Sequence, residues 1–308
     1  MILAEREGVT YRYAGDRALL VEYGPMELDL TLNFRVLAVD DALRAEPIEG
    51  LVETAPGFRS ILLTYEGVRP EALVEQLDRI HADLEEVSEI PSRLVNLPVA
   101  FDDSESRRAV QRYLDTIRAD APNAEGGTNV DYVVRYNGFA DRESLYEAVL
   151  ATEQWVGFIG FFPGLPFMFP LDPRETVFVP KYNPSRTWTA EGAVGLGGPC
   201  YSIYPVESAG GYQLLGRTLP VYDLAGRNEV FRDDPLLLRP GDRVRFHRVE
   251  EDELLALFED VRTDRYRYDR IDGVFDVGEY TEWLTTVRDE AEAARGRREA
   301  AAAETPVP

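Results

Sequence analysis

GFIGFFPGLPFMFPLDPR at 157–174, PKYNPSRTWT at 180–189, GAVGLGG at 192–198 and YPVESAGGYQLLGRT at 204–218 set the character of the chain. Each is a short apolar or aromatic run cut by glycine or proline within a few positions, too brief for a helix and spaced as strands are. Working outward, the same rhythm extends from Val130 to Val249, with one helix expected near Arg142–Leu150. At the far end, Pro240-Gly241-Asp242 leads into the alternating Val244, Phe246 and His247. This density of short strands predicts a closed β-barrel over 130–250 rather than a parallel α/β sheet.

Upstream the period changes. Residues 10–23, TYRYAGDRALLVEY, read as two strands around Gly15-Asp16, and Leu28, Leu32, Val36, Val39 and Leu43 then recur at helical spacing. A hairpin is expected from Leu51 to Tyr65 around Pro56-Gly57, followed by a helix from Pro70 to about Val87 with Leu73, Leu77, Ile80 and Leu84 on one face. A strand at Arg93–Phe101 completes the order strand, helix, two strands, helix, strand. That order predicts a ferredoxin-like α+β domain over 1–101. Residues 102–129 should supply a helix capped by Asp103 and a turn-rich connector from Ala121 to Gly127. The extension 251–308 should hold a helix at 251–262 with Leu254, Leu255 and Phe258 inward, an extended run through Ile271 and Phe275, a helix at 278–288, and a frayed tail over 291–308.

The 308 residues carry 56 acidic and 33 basic side chains, a formal charge of −23, and 44% of them are hydrophobic. The apolar share suffices for a buried core. The charge repels phosphate backbones and anionic lipid, which argues against nucleic-acid and membrane-surface partners. Charges also interrupt the chain too often for a membrane span, and MILAEREGVT has no charged-then-apolar leader pattern, so a cytoplasmic protein is expected. Cys200 is the single cysteine and His81 and His247 the only histidines, so neither an internal disulfide nor a Cys/His metal site is expected. Lys181 is the only lysine and sits between Pro180 and Tyr182. That placement excludes a Gly-Lys-Ser/Thr phosphate loop and a biotinyl lysine. A GC-rich genome explains arginine in place of lysine but not the acid excess. A salt-rich, halophilic cytoplasm accounts for the excess, because screening removes most carboxylate repulsion.

Lys181 is the most informative side chain. In a chain that otherwise uses arginine throughout, one lysine remains. Lysine can lose its proton and acts as a compact point charge, and arginine does neither. Tyr182, Asn183, Arg186 and Trp188 stand beside it in sequence, and Glu207, Gln213 and Arg217 follow. Asn, Gln and Glu suit the reading of a small amide through paired donors and acceptors, and Arg186 or Arg217 suits a bidentate carboxylate. The glycines at 192, 195, 197 and 198 run into the β-like Tyr201-Ser202-Ile203 and not into a helix, which speaks against dinucleotide phosphate binding. Cys200 is expected as a packing residue and His81 as a helix-flank residue. Glu207-Ser208-Ala209-Gly210-Gly211 lacks the first glycine of a nucleophile elbow. Asp172-Pro173-Arg174 suits either a functional role or a turn capped by its own aspartate.

These blocks resemble the first carboxyltransferase half of biotin-dependent urea carboxylases. They also resemble stand-alone proteins known as allophanate hydrolase subunit 1, KipI or the B-type 5-oxoprolinase subunit. LVNLPVAFDD (94–103), Asn137-Gly138, Leu171–Arg174, KYNPSRTWTAEGAVGLGG (181–198), GGYQLLGRT (210–218) and EDELLALFEDVR (251–262) carry the likeness to urea carboxylases. GFFPGLPF (160–167) and LLLRPGDRVRF (236–246) are nearer the stand-alone proteins, so the acceptor differs between the two branches of the resemblance.

The resemblance implies a ferredoxin-like domain followed by a cyclophilin-like β-barrel. It also implies a site completed by a C-type sister carboxyltransferase chain. No cofactor is bound covalently on this reading. Carboxybiotin is presented by a partner carrier, and ATP is used by a partner such as a biotin carboxylase. Lys181 would set a positive charge against the oxygen of a small amide, with Glu207 beside it as the second catalytic group. Tyr182, Asn183, Arg186, Gln213 and Arg217 would bind the substrate, and Gly195, Gly197 and Gly198 would admit the biotin ring. Two rivals stay open: a component of an ATP-dependent 5-oxoproline hydrolase, and a KipI-like protein-binding regulator without catalysis.

Overall fold

The computed structural model describes residues 1–84 and 87–308, and the chain divides into two compact units. The first comprises Met1–Ser92 with Gly273–Trp283, and the second Arg93–Asp272 with Leu284–Pro308.

In the first unit, β1 (Ile2–Arg6), β2 (Val9–Tyr13), β3 (Ala18–Tyr23), β4 (Leu51–Pro56) and β5 (Ser60–Tyr65) form an antiparallel sheet in the order β1-β2-β3-β5-β4. Two helices lie in the chain between and after these strands. In α1 (Leu30–Ala45) the Asp29 side chain accepts from the Thr31 N–H, which satisfies a free first-turn donor, and α2 (Pro70–Asp83) opens on proline. Val36, Val39, Leu43, Leu73 and Leu77 pack with Tyr11, Leu19, Val21, Ile61 and Leu63 of the sheet. His81 is a packing residue, as expected: the Tyr11 and Tyr23 hydroxyls lie 3.1 and 2.9 Å from its ring nitrogens, and burial pushes its pKa down to about 4. Helix α2 stops at Asp83; of the four further residues expected to continue it to Val87, Glu85 and Glu86 lie outside the described residues.

A ferredoxin-like sheet needs the strand after α2 to return beside β3. That place is taken by β2, whose hairpin with β1 the sequence pattern did not announce. The short β6 (Glu89–Pro91) instead pairs with β17 (Val274–Asp276), and the expected closing strand, β7 (Leu94–Phe101), belongs to the second unit's sheet.

That second unit contains a closed barrel. Besides β7 its strands are β8 (Gln154–Ile159), β9 (Pro166–Pro170), β11 (Ala193–Gly197), β12 (Cys200–Ile203), β14 (Gln213–Thr218) and β15 (Arg243–Arg248). The order β14-β11-β12-β9-β8-β15-β7 returns to β14, closing seven strands, and β16 (Asp269–Ile271) adds to β7 outside the ring. Only β7 and β15 run parallel. Closure fixes one residue type: at Gly216, opposite Phe101, a Cβ would collide with the Ala100 carbonyl, so glycine alone lets the strands meet. The interior is filled by Val95, Leu97, Val99, Val156, Met168, Val194, Leu196, Tyr201, Ile203 and Leu215, each fully buried chain contributing about 1.5–3 kcal/mol. A two-strand ribbon, β10 (Arg186–Thr189) with β13 (Ser208–Gly210), stands apart from the ring.

Four further helices accompany the barrel: α3 (Ser104–Thr116), α4 (Val130–Asn137), α5 (Arg142–Leu150) and α6 (Glu251–Arg262). Asp103 caps α3 as expected. Helix α4 corrects the reading of 130–137 as strand: its Val and Tyr residues bury one helical face, and Gly138 ends it in the left-handed conformation. Leu255, expected inward on α6, is exposed, whereas Leu254 and Phe258 are buried. The stretch 121–127 lies within the second unit, with Asn123 fully buried. The tail is not frayed. Helix α7 runs unbroken from Val277 to Ala303, Thr305 is buried, and the Tyr132 hydroxyl donates to the Pro306 carbonyl at 2.9 Å. Among the described residues no helix is long and apolar enough to cross a membrane.

Candidate functional site

Lys181 is exposed, but the chain on either side of it is pinned. Val179 and Gly198 exchange backbone hydrogen bonds of 3.1 and 2.8 Å, and the Tyr182 N–H donates to the Gly211 carbonyl at 2.7 Å. The Pro180 carbonyl accepts from Gln213 Nε2 at 2.7 Å. A flexible side chain therefore rises from a fixed base, and its ammonium lies 5.3 Å from the centroid of the Tyr212 ring, in cation–π range. The peptide between Asn183 and Pro184 is cis, the Asn183 carbonyl accepts from Arg118 at 3.2 Å, and Asn183 is exposed two positions along the chain from Lys181.

Tyr212 organises the ground beneath the lysine. Its ring lies on β11, where a Cβ at Gly195 would come within 2.9 Å of Tyr212 Cβ and one at Gly197 would collide with the ring itself. Two of the three glycines expected to admit another ring therefore already admit this one. Gly198 differs: it has φ +58° and open space where a Cβ would stand. The Cys200 thiol donates to the Tyr201 carbonyl at 3.3 Å, and Phe162, Phe167 and Trp188 share the apolar cluster of Tyr212. Burial raises the Tyr212 phenol well above its ordinary range and pushes the Cys200 thiol up to about 12, so neither ionises near neutral pH. Cys200 is a packing residue, as expected.

The amide and hydroxyl groups expected to read a substrate are spent inside the protein. Gln213 is fully buried, donating to Pro180 and accepting from Asn123 Nδ2 at 2.9 Å. Tyr182 is buried and accepts from Asn129 Nδ2 at 2.6 Å. Asn129 also donates to the Asn123 carbonyl and accepts from the Leu214 N–H. Arg186 is 1% exposed, donating to the Tyr212 carbonyl at 2.6 Å and to Thr189 Oγ1 at 3.2 Å, with its guanidinium 4.5 Å from the Tyr182 ring centroid. These residues support the lysine and do not face outward. Sequence reasoning passed over Tyr212, Asn123, Asn129 and Arg118; only Tyr212 had a local signal, as the aromatic inside Gly210-Gly211-Tyr212-Gln213.

Two expected residues lie elsewhere. Arg217 is four residues beyond Gln213 on β14, ~13 Å along the strand. It donates to the Glu191 carbonyl at 2.8 Å and lies 4.2 Å from the Phe258 ring centroid. Glu207 is exposed just before β13 and makes no hydrogen bond or ion pair among the described residues. Asp172 caps its own turn, accepting from the Arg174 N–H at 3.0 Å. A cleft of ≈400 Å³ lies away from all of these, lined among others by Arg93, Asp233, Asp234, Arg239 and Arg270. Lys181 instead stands on an open surface of this chain.

A mixed α/β chain with a seven-stranded closed barrel is also what part of Kluyveromyces lactis urea carboxylase presents. The two superpose with a TM-score of 0.87 at 34% identity, over 98% of this chain and 28% of that one. Residues 9–231 match the family described as carboxyltransferase domain, subdomain C and D, and the chain belongs to that family. It is 38% identical to urea amidolyase of Saccharomyces cerevisiae over 289 residues, 91% of this chain and 15% of that protein. It is 30% identical to the B-type 5-oxoprolinase subunit of Escherichia coli O157:H7 over 235 residues, 75% of this chain and 92% of that protein. The chain thus spans about 15% of the length of the urea amidolyases it matches.

Proposed function

We propose that the chain is a carboxyltransferase component of a cytoplasmic, biotin-dependent urea or amide carboxylase-like assembly, working with a sister carboxyltransferase chain. The observation that carries this reading is the exposed Lys181 ammonium, held over Tyr212 by a loop pinned on both sides. The extent of the likeness to urea carboxylase, 98% of the chain, supports it.

Carboxybiotin, presented by a partner carrier and formed at the expense of ATP on a partner chain, would supply the carboxyl group when bound. On this reading it would approach at Gly198, which pairs with Val179 beside the Lys181 loop and has open space at its Cβ position. The chain's own contributions follow from the geometry. Lys181 places a positive charge where an amide carbonyl oxygen gains charge as its nitrogen becomes nucleophilic. Tyr212, Phe162, Phe167 and Trp188 form an apolar cluster beneath that charge, which would strengthen it once a docked sister chain excludes water. Asn183 is the exposed amide two positions along the chain from Lys181 and orients the acceptor through its donor and acceptor pair. Glu207 enters this scheme only if the sister chain brings the acceptor to it.

One observation favours a second reading: the match to the B-type 5-oxoprolinase subunit runs over 92% of that protein. The substrate carboxylate would then meet Lys181 or Arg118, since Arg186 and Arg217 are committed inside the fold. Co-purification with native partner chains in high salt, followed by ATP turnover with urea, with 5-oxoproline and with neither, separates the two. Stimulation by urea is expected. Stimulation by 5-oxoproline alone transfers the site to the second reading, and stimulation by neither ends both in favour of a regulatory chain.

A further inference from the structure

A buried guanidinium costs several kcal/mol of desolvation unless the protein compensates it. Arg186 is 1% exposed, and among the described residues no carboxylate pairs with it. Its compensation is the Tyr212 carbonyl, Thr189 Oγ1 and the face of Tyr182, and its Nε has no partner at all. An apolar side chain would fill the same volume at lower cost. What it would not do is hold a backbone carbonyl from a planar fork whose direction is fixed by stacking.

The carbonyl so held belongs to the residue whose ring supports the site lysine. Tyr212 reaches its place only because Gly195 and Gly197 lack side chains, and the Lys181 ammonium rests 5.3 Å from its centroid. We propose that Arg186 is a positioning residue that fixes Tyr212, and that Tyr212 in turn fixes the Lys181 ammonium. The functional weight of this chain of contacts rests on the carboxyltransferase reading above; its structural content does not.

Lys181 being the only lysine makes the test direct. Reductive methylation of the full-length chain with ¹³C-formaldehyde gives one side-chain dimethylamine resonance beside that of the N-terminus, and the charge is retained. In the parent chain that resonance lies upfield of free dimethyl-lysine, because it stands over a ring. Tyr212→Leu returns it to the free position and Tyr212→Phe keeps it. Arg186→Met moves it most of the way to the free position, and Arg186→Lys, which restores one donor, recovers part of the shift. A parent resonance at the free position overturns the Tyr212 contact. A resonance that moves with Tyr212→Leu but stays put in both Arg186 variants overturns the role of Arg186. Should Arg186→Met fail to fold, Arg186→Lys and Tyr212→Leu still decide.

With partner chains present, misplacing the ammonium by about 1 Å costs about 100-fold in kcat with KM little changed. A parent complex inactive on every acceptor refutes the functional reading alone, since the resonance still reports the positioning.

Discussion

Strand β14 joins two unlike environments. At its Gln213 end, neutral groups predominate: Gln213, Asn123, Asn129 and Tyr182 hydrogen-bond one another and the backbone, and the charges are the buried Arg186 guanidinium and the exposed Lys181 ammonium. At its Arg217 end, charge is everywhere and loosely arranged. Arg217 and Arg262 both lie near the Phe258 ring, and the nearest Arg262 nitrogen is 4.0 Å from the Glu191 carboxylate. A network of neutral hydrogen bonds gives a charge a defined position, whereas loosely paired surface charges only tune stability. On the carboxyltransferase reading proposed above, the end with fewer charges is the one that does chemistry.

The largest expected difference is in turnover. In the reconstituted complex, Lys181→Met should lower acceptor-stimulated ATP turnover by about 10²–10³-fold, the scale of one lost electrostatic stabiliser. Arg217→Met should change it by less than about threefold. Comparable losses in both variants would erase the distinction between the two ends.

Added methyl groups probe the same contrast through packing. Gly192, at the Arg217 end, has φ +79°, and a Cβ there would collide with the Thr218 backbone carbonyl. Backbone cannot yield, so Gly192→Ala should cost about 3 kcal/mol in denaturant unfolding. At Gly197 the obstacle is the Tyr212 ring, which can swing aside. Gly197→Ala should therefore cost only about 1 kcal/mol while depressing turnover and moving the Lys181 resonance. A reversed order of stabilities would mean that Tyr212 is held more rigidly than the barrel's own backbone.

How far this was legible beforehand depended on whether the deciding interaction is local. Lys181 stood out because residue choice alone marks it. The direction of Gln213 did not: strand alternation puts Tyr212 and Gln213 on opposite faces but does not say which face opens, and barrel closure decides that. Proximity in sequence likewise grouped Arg217 with Gln213, whereas an extended strand carries them apart. Leu94–Phe101 is buried on both faces, so no polar alternation indicated which sheet would take it. Val130–Asn137 is rich in Val and Tyr and reads as strand until one sees which face the fold buries. The tail is held by Tyr132, more than 170 residues earlier, a contact that no local pattern reports.

The smallest effect concerns Glu191, and its sign separates the two ends once more. Burial raises the Glu191 carboxyl above the usual carboxylate range, only partly offset by Arg262 and Arg217. The folded chain therefore holds this proton more tightly than the unfolded chain does. Below the ordinary carboxylate pKa both states are protonated and the group's contribution to stability is fully present. As pH rises through the folded value that contribution is lost, and at neutral pH an ionised carboxylate remains in a partly buried place. Glu191→Gln should consequently stabilise the chain at pH 7 by about 0.5–1 kcal/mol after allowing for solvent screening, seen as a rise of about 2 °C in Tm. The difference should vanish near pH 4. A stabilisation equal at both pH values would assign the gain to packing. A loss at pH 7 would mean that the arginines around Glu191 hold it as firmly as the amides at the other end hold the loop beneath Lys181.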